Sequence, residues 1–235
     1  MSDTKSLPIV LIPGLGCTAR LYADQMAPLW TFGPVTVADH RRADHVDAIA
    51  GQILDDAPRQ FALAGLSMGG YIALAIMRQA PERVARLALL DTSSRADTPE
   101  QTERRKAQIA MARNGQMDAI NEALWPLLVH KDRQGDATLR KEVAEMGLMT
   151  GGDAFARQQQ AIMTRPDSRP SLPAIKCPTM VLVGEGDVLT PPHLAEEMAT
   201  LIPGSRHVVV PESGHLSTME RPEAVTRALV EWMQF

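Results

Sequence analysis

Six short apolar runs, separated by stretches with helical periodicity, restrict the fold more than any other feature of this chain. They are rich in Val, Ile, Leu and Ala and lack regular alternation with polar residues, which is typical of strands covered on both faces. The runs lie at 9–12, 35–37, 61–64, 87–90, 180–183 and 207–210. This pattern predicts an α/β fold, doubly wound, with a mostly parallel sheet of about six strands.

Between residues 90 and 180 the strand pattern stops and helical segments take its place. Four helices are predicted, near 99–113, 117–129, 137–148 and 154–164. We interpret residues 95–174 as an inserted helical cap, and residues 1–94 and 175–235 as the α/β core. The proline-rich segment 165–173 is predicted to be extended and to act as a hinge between cap and core.

Helix starts are predicted from polar residues that precede helical patterns. Thr18 precedes a segment that ends near Trp30, and Asp47 precedes the apolar positions of the next helix. A further amphipathic helix, over 222–233, is expected to close the fold.

Charge and cysteine content exclude several classes of function. The net charge is −4 and the basic residues are scattered, so neither nucleic acid nor a membrane is expected as a partner. The chain opens with polar residues, without the apolar region of a signal peptide. Cys17 and Cys177 are the two cysteines. A cytoplasmic, reducing setting is expected, and a disulfide between the two cysteines is the alternative.

Ser67 is the candidate nucleophile. It stands in segment 65–70, GLSMGG, directly after an apolar run and directly before a helical pattern. A G-x-S-x-G sequence at such a corner is typical of a strained turn that exposes the serine hydroxyl. The alternative interpretation is a buried serine that caps helix 68–80.

A serine nucleophile needs a base and an acid that orients the base. His215 follows the last apolar run, and Asp187 follows the fifth, so both are expected at the edge of the sheet where the loops after the strands converge. Asp91, after the fourth run, is the alternative acid. Any of His40, His45 and His130 could line the pocket. His193 and His207 are expected to be structural or solvated.

An oxyanion hole requires backbone N–H donors that point at the reacting carbonyl oxygen. Two candidates are the amides of Leu15, in the loop after the first run, and of Met68, next to the candidate nucleophile. Gly14 and Gly16 flank Leu15 and would let the backbone approach a ligand closely. A simple strand-to-helix turn is the alternative for this loop.

These segments resemble the α/β-hydrolase superfamily, and the resemblance extends from the first strand to the closing helix. The elbow GLSMGG, the acid loop GEGD and the histidine loop SGH occur in the family's order. The resemblance implies Ser67 as nucleophile, Asp187 as acid, His215 as base, and Leu15 and Met68 as oxyanion donors. It also implies that the cap roofs an acyl pocket.

The chain departs from the family pattern at three places. Pro13 stands where many members have a histidine before the glycine of the oxyanion loop. Segment 39–44, DHRRAD, replaces the family's D-x-R-G-H-G. The chain also begins almost directly at the strand that the family counts third, which predicts a sheet shortened to six strands.

The expected activity is that of a capped serine esterase, a carboxylesterase that cleaves small carboxylic esters through an acyl-enzyme. Enol-lactonase, thioesterase, perhydrolase, carbon–carbon bond hydrolase and a non-catalytic binding module stay open as alternatives. No metal or organic cofactor is expected. The expected partner is a small-molecule ester with an apolar part.

Methionines of the cap are interpreted as an adaptable apolar pocket, with ordinary core packing as the alternative: Met111, Met117, Met146, Met149 and Met163, together with Trp125.

Overall fold

The computed structural model describes residues 6–235 and contains a parallel sheet of six strands in the order β2-β1-β3-β4-β5-β6. The strands are β1 Ile9–Ile12, β2 Val35–Val37, β3 Phe61–Leu66, β4 Val84–Leu90, β5 Thr179–Gly184 and β6 Arg206–Val210. Each apolar run of the sequence lies in one of them, so the predicted fold class is confirmed. The chain winds outward from β1 in one direction to β2 and in the other to β6. The loops after β1 and β3 therefore meet at a switch point, where ligands bind in sheets of this kind.

Helices cover both faces of the sheet. On one face lie α2 Val46–Asp56, α3 Met68–Gln79 and α8 Pro192–Leu201, and on the other lie α1 Ala23–Trp30 and α10 Pro222–Trp232, with the short α9 Ser217–Glu220 before it. Side chains of one strand alternate between the two cores: Val10 and Ile12 belong to the first, Ile9 and Leu11 to the second.

Four helices lie between β4 and β5, as the sequence predicts, and we call them the cap: α4 Pro99–Arg113, α5 Met117–Leu128, α6 Ala137–Thr150 and α7 Gly152–Met163. Thr98 and Gln101 form a reciprocal capping box at the start of α4. A small apolar cluster that includes Ile120 and Phe155 joins α4, α5 and α7.

Two local predictions are wrong. The α2 helix begins at Val46, and His45 is its N-cap, with a ring nitrogen 3.3 Å from the Asp47 amide. Asp47 therefore lies in the first turn. The predicted extended hinge includes a 3-10 helix over Arg169–Ala174. Arg165, just before it, is buried and contacts Asp97 at 2.6 Å, which fastens this segment to the protein.

Both cysteines are free thiols, Cys17 buried and Cys177 half-buried, so they do not form the alternative disulfide. Burial raises the pKa of the Cys17 thiol to about 12. Within residues 6–235, every helix is too short or too polar to cross a membrane.

Candidate active site

Ser67 occupies the corner between β3 and α3 in a conformation that few non-glycine residues adopt, with φ 56° and ψ −116°. The corner is tight enough to require glycine on both sides. A Cβ atom at Gly65 would collide with the Gly69 carbonyl oxygen, and one at Gly69 would collide with the carbonyl oxygen of Ile12 in β1. The turn that the sequence predicts is therefore present, with its hydroxyl at the carboxyl edge of the sheet.

The structure brings the candidate base and acid to this hydroxyl. Nε2 of His215, in the loop after β6, lies 2.8 Å from Ser67 Oγ, and Nδ1 lies 2.8 Å from Oδ2 of Asp187. The other oxygen of Asp187 accepts hydrogen bonds from the amides of Leu189 and Thr190, at 2.8 and 2.9 Å. An acceptor-only carboxylate on Nδ1 favours the tautomer that leaves Nε2 free to take a proton from the serine.

Charge within this group strengthens the pairing of acid and base. Burial alone would lower the pKa of His215, but the charge and hydrogen bond of Asp187, together with the charges of Asp91 and Glu220, outweigh burial and raise it. Burial would likewise raise the pKa of Asp187, but the charge of His215 and hydrogen bonds from His215 and Thr190 lower it. An imidazolium formed during proton transfer would thus be stabilised by an ionised partner.

Asp91, the alternative acid, is fully buried at the end of β4 and has other partners than His215. One carboxyl oxygen accepts a hydrogen bond of 2.8 Å from the Gly184 amide, and the other bonds the Ser217 hydroxyl. Burial, followed by the charge of Asp187, raises the pKa of Asp91 well above its ordinary range. Asp91 therefore links the start of the acid loop to the helix that follows the histidine loop.

The loop after β1 and the start of α3 present the two candidate oxyanion donors. Among residues 6–235, the amides of Leu15 and Met68 have no hydrogen-bond acceptor, although Met68 is fully buried. Buried amides without a partner are rare in proteins. These two N–H groups therefore remain the candidates for the oxyanion hole.

A buried polar group holds the candidate oxyanion loop in place, and the sequence did not reveal it. Gln158 of α7 accepts a hydrogen bond of 3.0 Å from the Gly16 amide. Nε2 of His40 lies 2.9 Å from the Gly14 carbonyl oxygen and 3.0 Å from Nε2 of Gln158. When Nε2 of His40 is protonated, it donates to the Gly14 carbonyl; when it is not, it accepts from the side-chain amide of Gln158. Each tautomer therefore makes one of these two bonds. Burial lowers the pKa of His40. His40 therefore helps to hold the loop after β1 in place.

A cavity of about 660 Å³ lies between the sheet edge and the cap, with Ser67 and His215 in its wall. Its apolar wall comes mainly from leucines of α5, of the loop after β5 and of α8: Leu124, Leu127, Leu128, Leu189 and Leu194. Of the other histidines, only His193 lines it among the described residues, although a structural or solvated position is predicted.

The cap methionines do not line this cavity, so their interpretation as an apolar pocket is wrong. Met117 and Met146 are buried in the packing of the cap, whereas Met149 is 72 % exposed. Trp125 is also buried, and its indole N–H donates to the Gln134 carbonyl. Met117, Met146 and Trp125 therefore belong to the packing inside the cap, and Met149 faces solvent.

Comparison with known proteins gives the family. The model of the alpha/beta hydrolase family matches residues 9–228. This chain belongs to the alpha/beta hydrolase family. A Mycobacterium tuberculosis protein, described provisionally as a non-heme bromoperoxidase, is 33% identical to it over 195 residues, 77% of this chain and 70% of that protein. A pimeloyl-[acyl-carrier protein] methyl ester esterase of Neisseria meningitidis is 27% identical over 94% of this chain and 93% of that protein.

Solved structures of the family give the same result. A thermophilic esterase from Thermogutta terrifontis superposes on this hydrolase with a TM-score of 0.89 and 33% identity, covering 97% of this chain and 89% of that one. An enol-lactonase from Burkholderia xenovorans also has a TM-score of 0.89, with 26% identity, covering 100% and 94% of the two chains.

The cap of this hydrolase touches the histidine loop directly. The amides of His215 and Leu216 both donate to the Leu128 carbonyl at the end of α5, at 3.1 Å each. The buried carboxylate of Glu220 accepts from the His130 amide of the cap and from the Gly214 amide, at 2.7 and 2.8 Å. Within residues 6–235, no cluster of three or more His, Cys, Asp or Glu side chains is arranged to hold a metal ion.

Proposed function

We propose that this chain is a serine hydrolase that cleaves small carboxylic esters, with Ser67 as nucleophile, His215 as base and Asp187 as the acid that orients it. The observation that carries the proposal is the 2.8 Å contact between Ser67 Oγ and His215 Nε2, with Asp187 bonded to the opposite ring nitrogen. This geometry supplies the base that a serine hydroxyl needs at neutral pH.

The proposed reaction has two halves. In the first, Ser67 Oγ attacks the ester carbonyl carbon while its proton moves to His215, and the amides of Leu15 and Met68 bind the resulting oxyanion. The C–O bond to the alcohol then breaks, and the alcohol leaves with the proton from His215. In the second half, His215 deprotonates a water molecule, which attacks the carbonyl carbon of the acyl-serine. The bond from that carbon to Ser67 Oγ then breaks, His215 returns the proton to Oγ, and the carboxylic acid is released.

An enol-lactonase is the second candidate, because a structural relative at 26% identity has that description. A lactone is a cyclic ester, so the same residues would open it by the same steps, with the freed hydroxyl remaining on the acyl group instead of leaving. Both candidates predict an acyl-serine and differ in the substrate alone.

A non-catalytic binding module would not need a base placed on the serine. The free thiols at Cys17 and Cys177 favour a reducing, cytoplasmic setting for this activity.

Hydrolysis of 4-nitrophenyl acetate and butyrate tests the proposal. The wild-type protein should hydrolyse both, and Ser67→Ala and His215→Ala should each reduce kcat by roughly 10⁴-fold or more while leaving the far-UV circular dichroism spectrum unchanged. A wild-type protein with no turnover of these esters or of a lactone contradicts the proposal, and so does a Ser67→Ala variant that retains full activity.

A further inference from the structure

One wall of the cavity is polar and comes from a single face of α4. Four residues of that helix line the cavity, at the spacing i, i+3, i+4 and i+7: Gln101, Arg104, Arg105 and Gln108. Residues with this spacing lie on one side of a helix. The face of α4 that meets the cavity is thus built from hydrogen-bonding side chains, whereas α5 contributes leucines.

The acceptor atoms of this face already have donors. The Gln101 side-chain oxygen accepts from the Thr98 amide at 2.9 Å. Arg105 donates to the side-chain oxygen of Gln159 at 2.8 Å, which fixes the Gln159 amide as a donor to the side-chain oxygen of Gln108. Both glutamines that line the cavity therefore have N–H groups left for a ligand.

The charge of the wall is positive. Arg95, Arg104, Arg105 and Arg165 line the cavity, and within residues 6–235 no Asp or Glu does. Arg105 and Arg165 both contact the buried carboxylate of Asp97, at 2.6 Å each, and Arg95 contacts Glu197 at 2.8 Å.

Arg104 has no such partner. Its guanidinium makes neither an ion pair nor a hydrogen bond with any residue from 6 to 235. Its five N–H donors and its charge are left to the cavity and the solvent. A carboxylate matches a guanidinium fork and also accepts from amide N–H groups.

We propose that the substrate is a small ester or lactone that carries a carboxylate, and that Arg104 binds this group with the side-chain amides of Gln101 and Gln108. The apolar part of the substrate lies against the leucine wall. This inference rests on the proposed function, since it assigns the substrate class of the same site.

Matched ester pairs test the inference. One pair places the charge on the acyl side, 4-nitrophenyl hydrogen glutarate against its methyl ester. The other places it on the alcohol side, 4-acetoxybenzoate against methyl 4-acetoxybenzoate. The wild type should prefer the anionic member of at least one pair in kcat/KM. Arg104→Gln should remove about tenfold of that preference, the effect of losing a charged hydrogen bond, with little change for the neutral esters.

Arg113→Gln is the matched control, because Arg113 is exposed on the same helix and does not line the cavity. Arg113→Gln should leave the ratio of kcat/KM between the anionic and the neutral ester unchanged in both pairs. Since Arg104 is exposed, the wild-type preference should also fall as salt rises. Two outcomes overturn this inference alone. In one, the wild type hydrolyses the neutral esters but prefers the anionic ester in neither pair. In the other, Arg104→Gln retains the wild-type preference. A wild type that hydrolyses 4-nitrophenyl acetate or butyrate but none of the four esters also overturns this inference alone. A wild type that hydrolyses none of these esters and no lactone overturns the proposed function with it.

Discussion

The Gln158 side chain, in the last helix of the cap, accepts a hydrogen bond of 3.0 Å from the amide of Gly16, 142 residues away in the loop after β1. Both groups are buried at this contact. The cap therefore holds the backbone that presents the Leu15 amide to the site. If Leu15 is an oxyanion donor, Gln158 is a positioning residue for it.

Replacing Gln158 by leucine should lower kcat with little change in KM. The expected loss is about tenfold, less than the 10²–10³-fold loss of a whole oxyanion donor, because the Leu15 amide stays in the loop but is held less firmly. Gln158→Glu keeps an acceptor for the Gly16 amide and should recover part of the loss. Steady-state kinetics with 4-nitrophenyl butyrate measure kcat and KM separately.

Gln160→Leu serves as the control, since Gln160 is exposed on the same helix. A Gln158→Leu variant that raises KM and leaves kcat unchanged would place Gln158 in substrate binding instead.

Asparagine substitutions should separate the two aspartates near His215. Asp187→Asn puts an N–H donor or a neutral oxygen against the ring and should reduce kcat by roughly 10⁴-fold, the cost of losing an orienting aspartate elsewhere. Asp91→Asn can accept from the Gly184 amide and bond Ser217 as the acid does, so it should retain most activity. The reverse order of effects would make Asp91 the acid.

The acid limb of the pH–rate profile should have its midpoint above the ordinary histidine value of about 6.5. His215 accepts the serine proton only when neutral, and the nearby carboxyl groups, Asp187 first among them, outweigh burial and raise its pKa. Activity should therefore be lost as pH falls through this raised pKa. The profile of kcat/KM measures it for the free enzyme.

His207→Gln, an exposed substitution on β6, should leave that midpoint in place. A midpoint at or below 6.5 in the wild type would indicate that burial dominates over the charge of Asp187.

Gly69→Ala should destabilise the protein and inactivate the site. A Cβ there collides with the Ile12 carbonyl oxygen, a backbone atom that cannot rotate away. We expect a loss of about 3 kcal/mol in the free energy of unfolding, or a decrease of about 6–12 °C in Tm for a chain of this length. Differential scanning calorimetry measures it. Gly135→Ala, where a Cβ would meet no atom within 4 Å, should leave Tm nearly unchanged.

The sheet could be predicted because its strands are buried on both faces, which leaves an unbroken apolar run in the sequence for each strand. The ends of the strands were less clear. The β4 strand begins at Val84, three residues before its apolar run, because Arg86 can lie half-buried in the strand with its guanidinium bonded to the Trp232 carbonyl.

The positions of Ser67, Asp187 and His215 could be predicted because each lies in a short loop directly after a strand of a parallel sheet. All such loops meet at one edge, whatever their separation in the chain. Thr190 lies in the same acid loop, but nothing in its sequence indicates the 2.6 Å bond from its hydroxyl to Asp187.

The supports of the site could not be predicted, because they are single long-range contacts. Gln158 is one of three successive glutamines in α7, at 158–160, and the helical pattern does not distinguish the one that reaches the β1 loop. The role proposed for Gln101, Arg104 and Gln108 of α4 could not be predicted for a related reason. Their spacing is that of any solvated helix face, and only the packing of the cap turns it toward the cavity.

Covalent labelling of the protein with a fluorophosphonate, read by intact mass and peptide mapping, tests the central claim most directly. If His215 activates Ser67, one phosphonyl group should attach to Ser67 in the wild type, and His215→Ala should label far more slowly. The Ser67→Ala variant should take up none. A wild-type protein that stays unlabelled, or one labelled equally in the Ser67→Ala variant, would contradict the account.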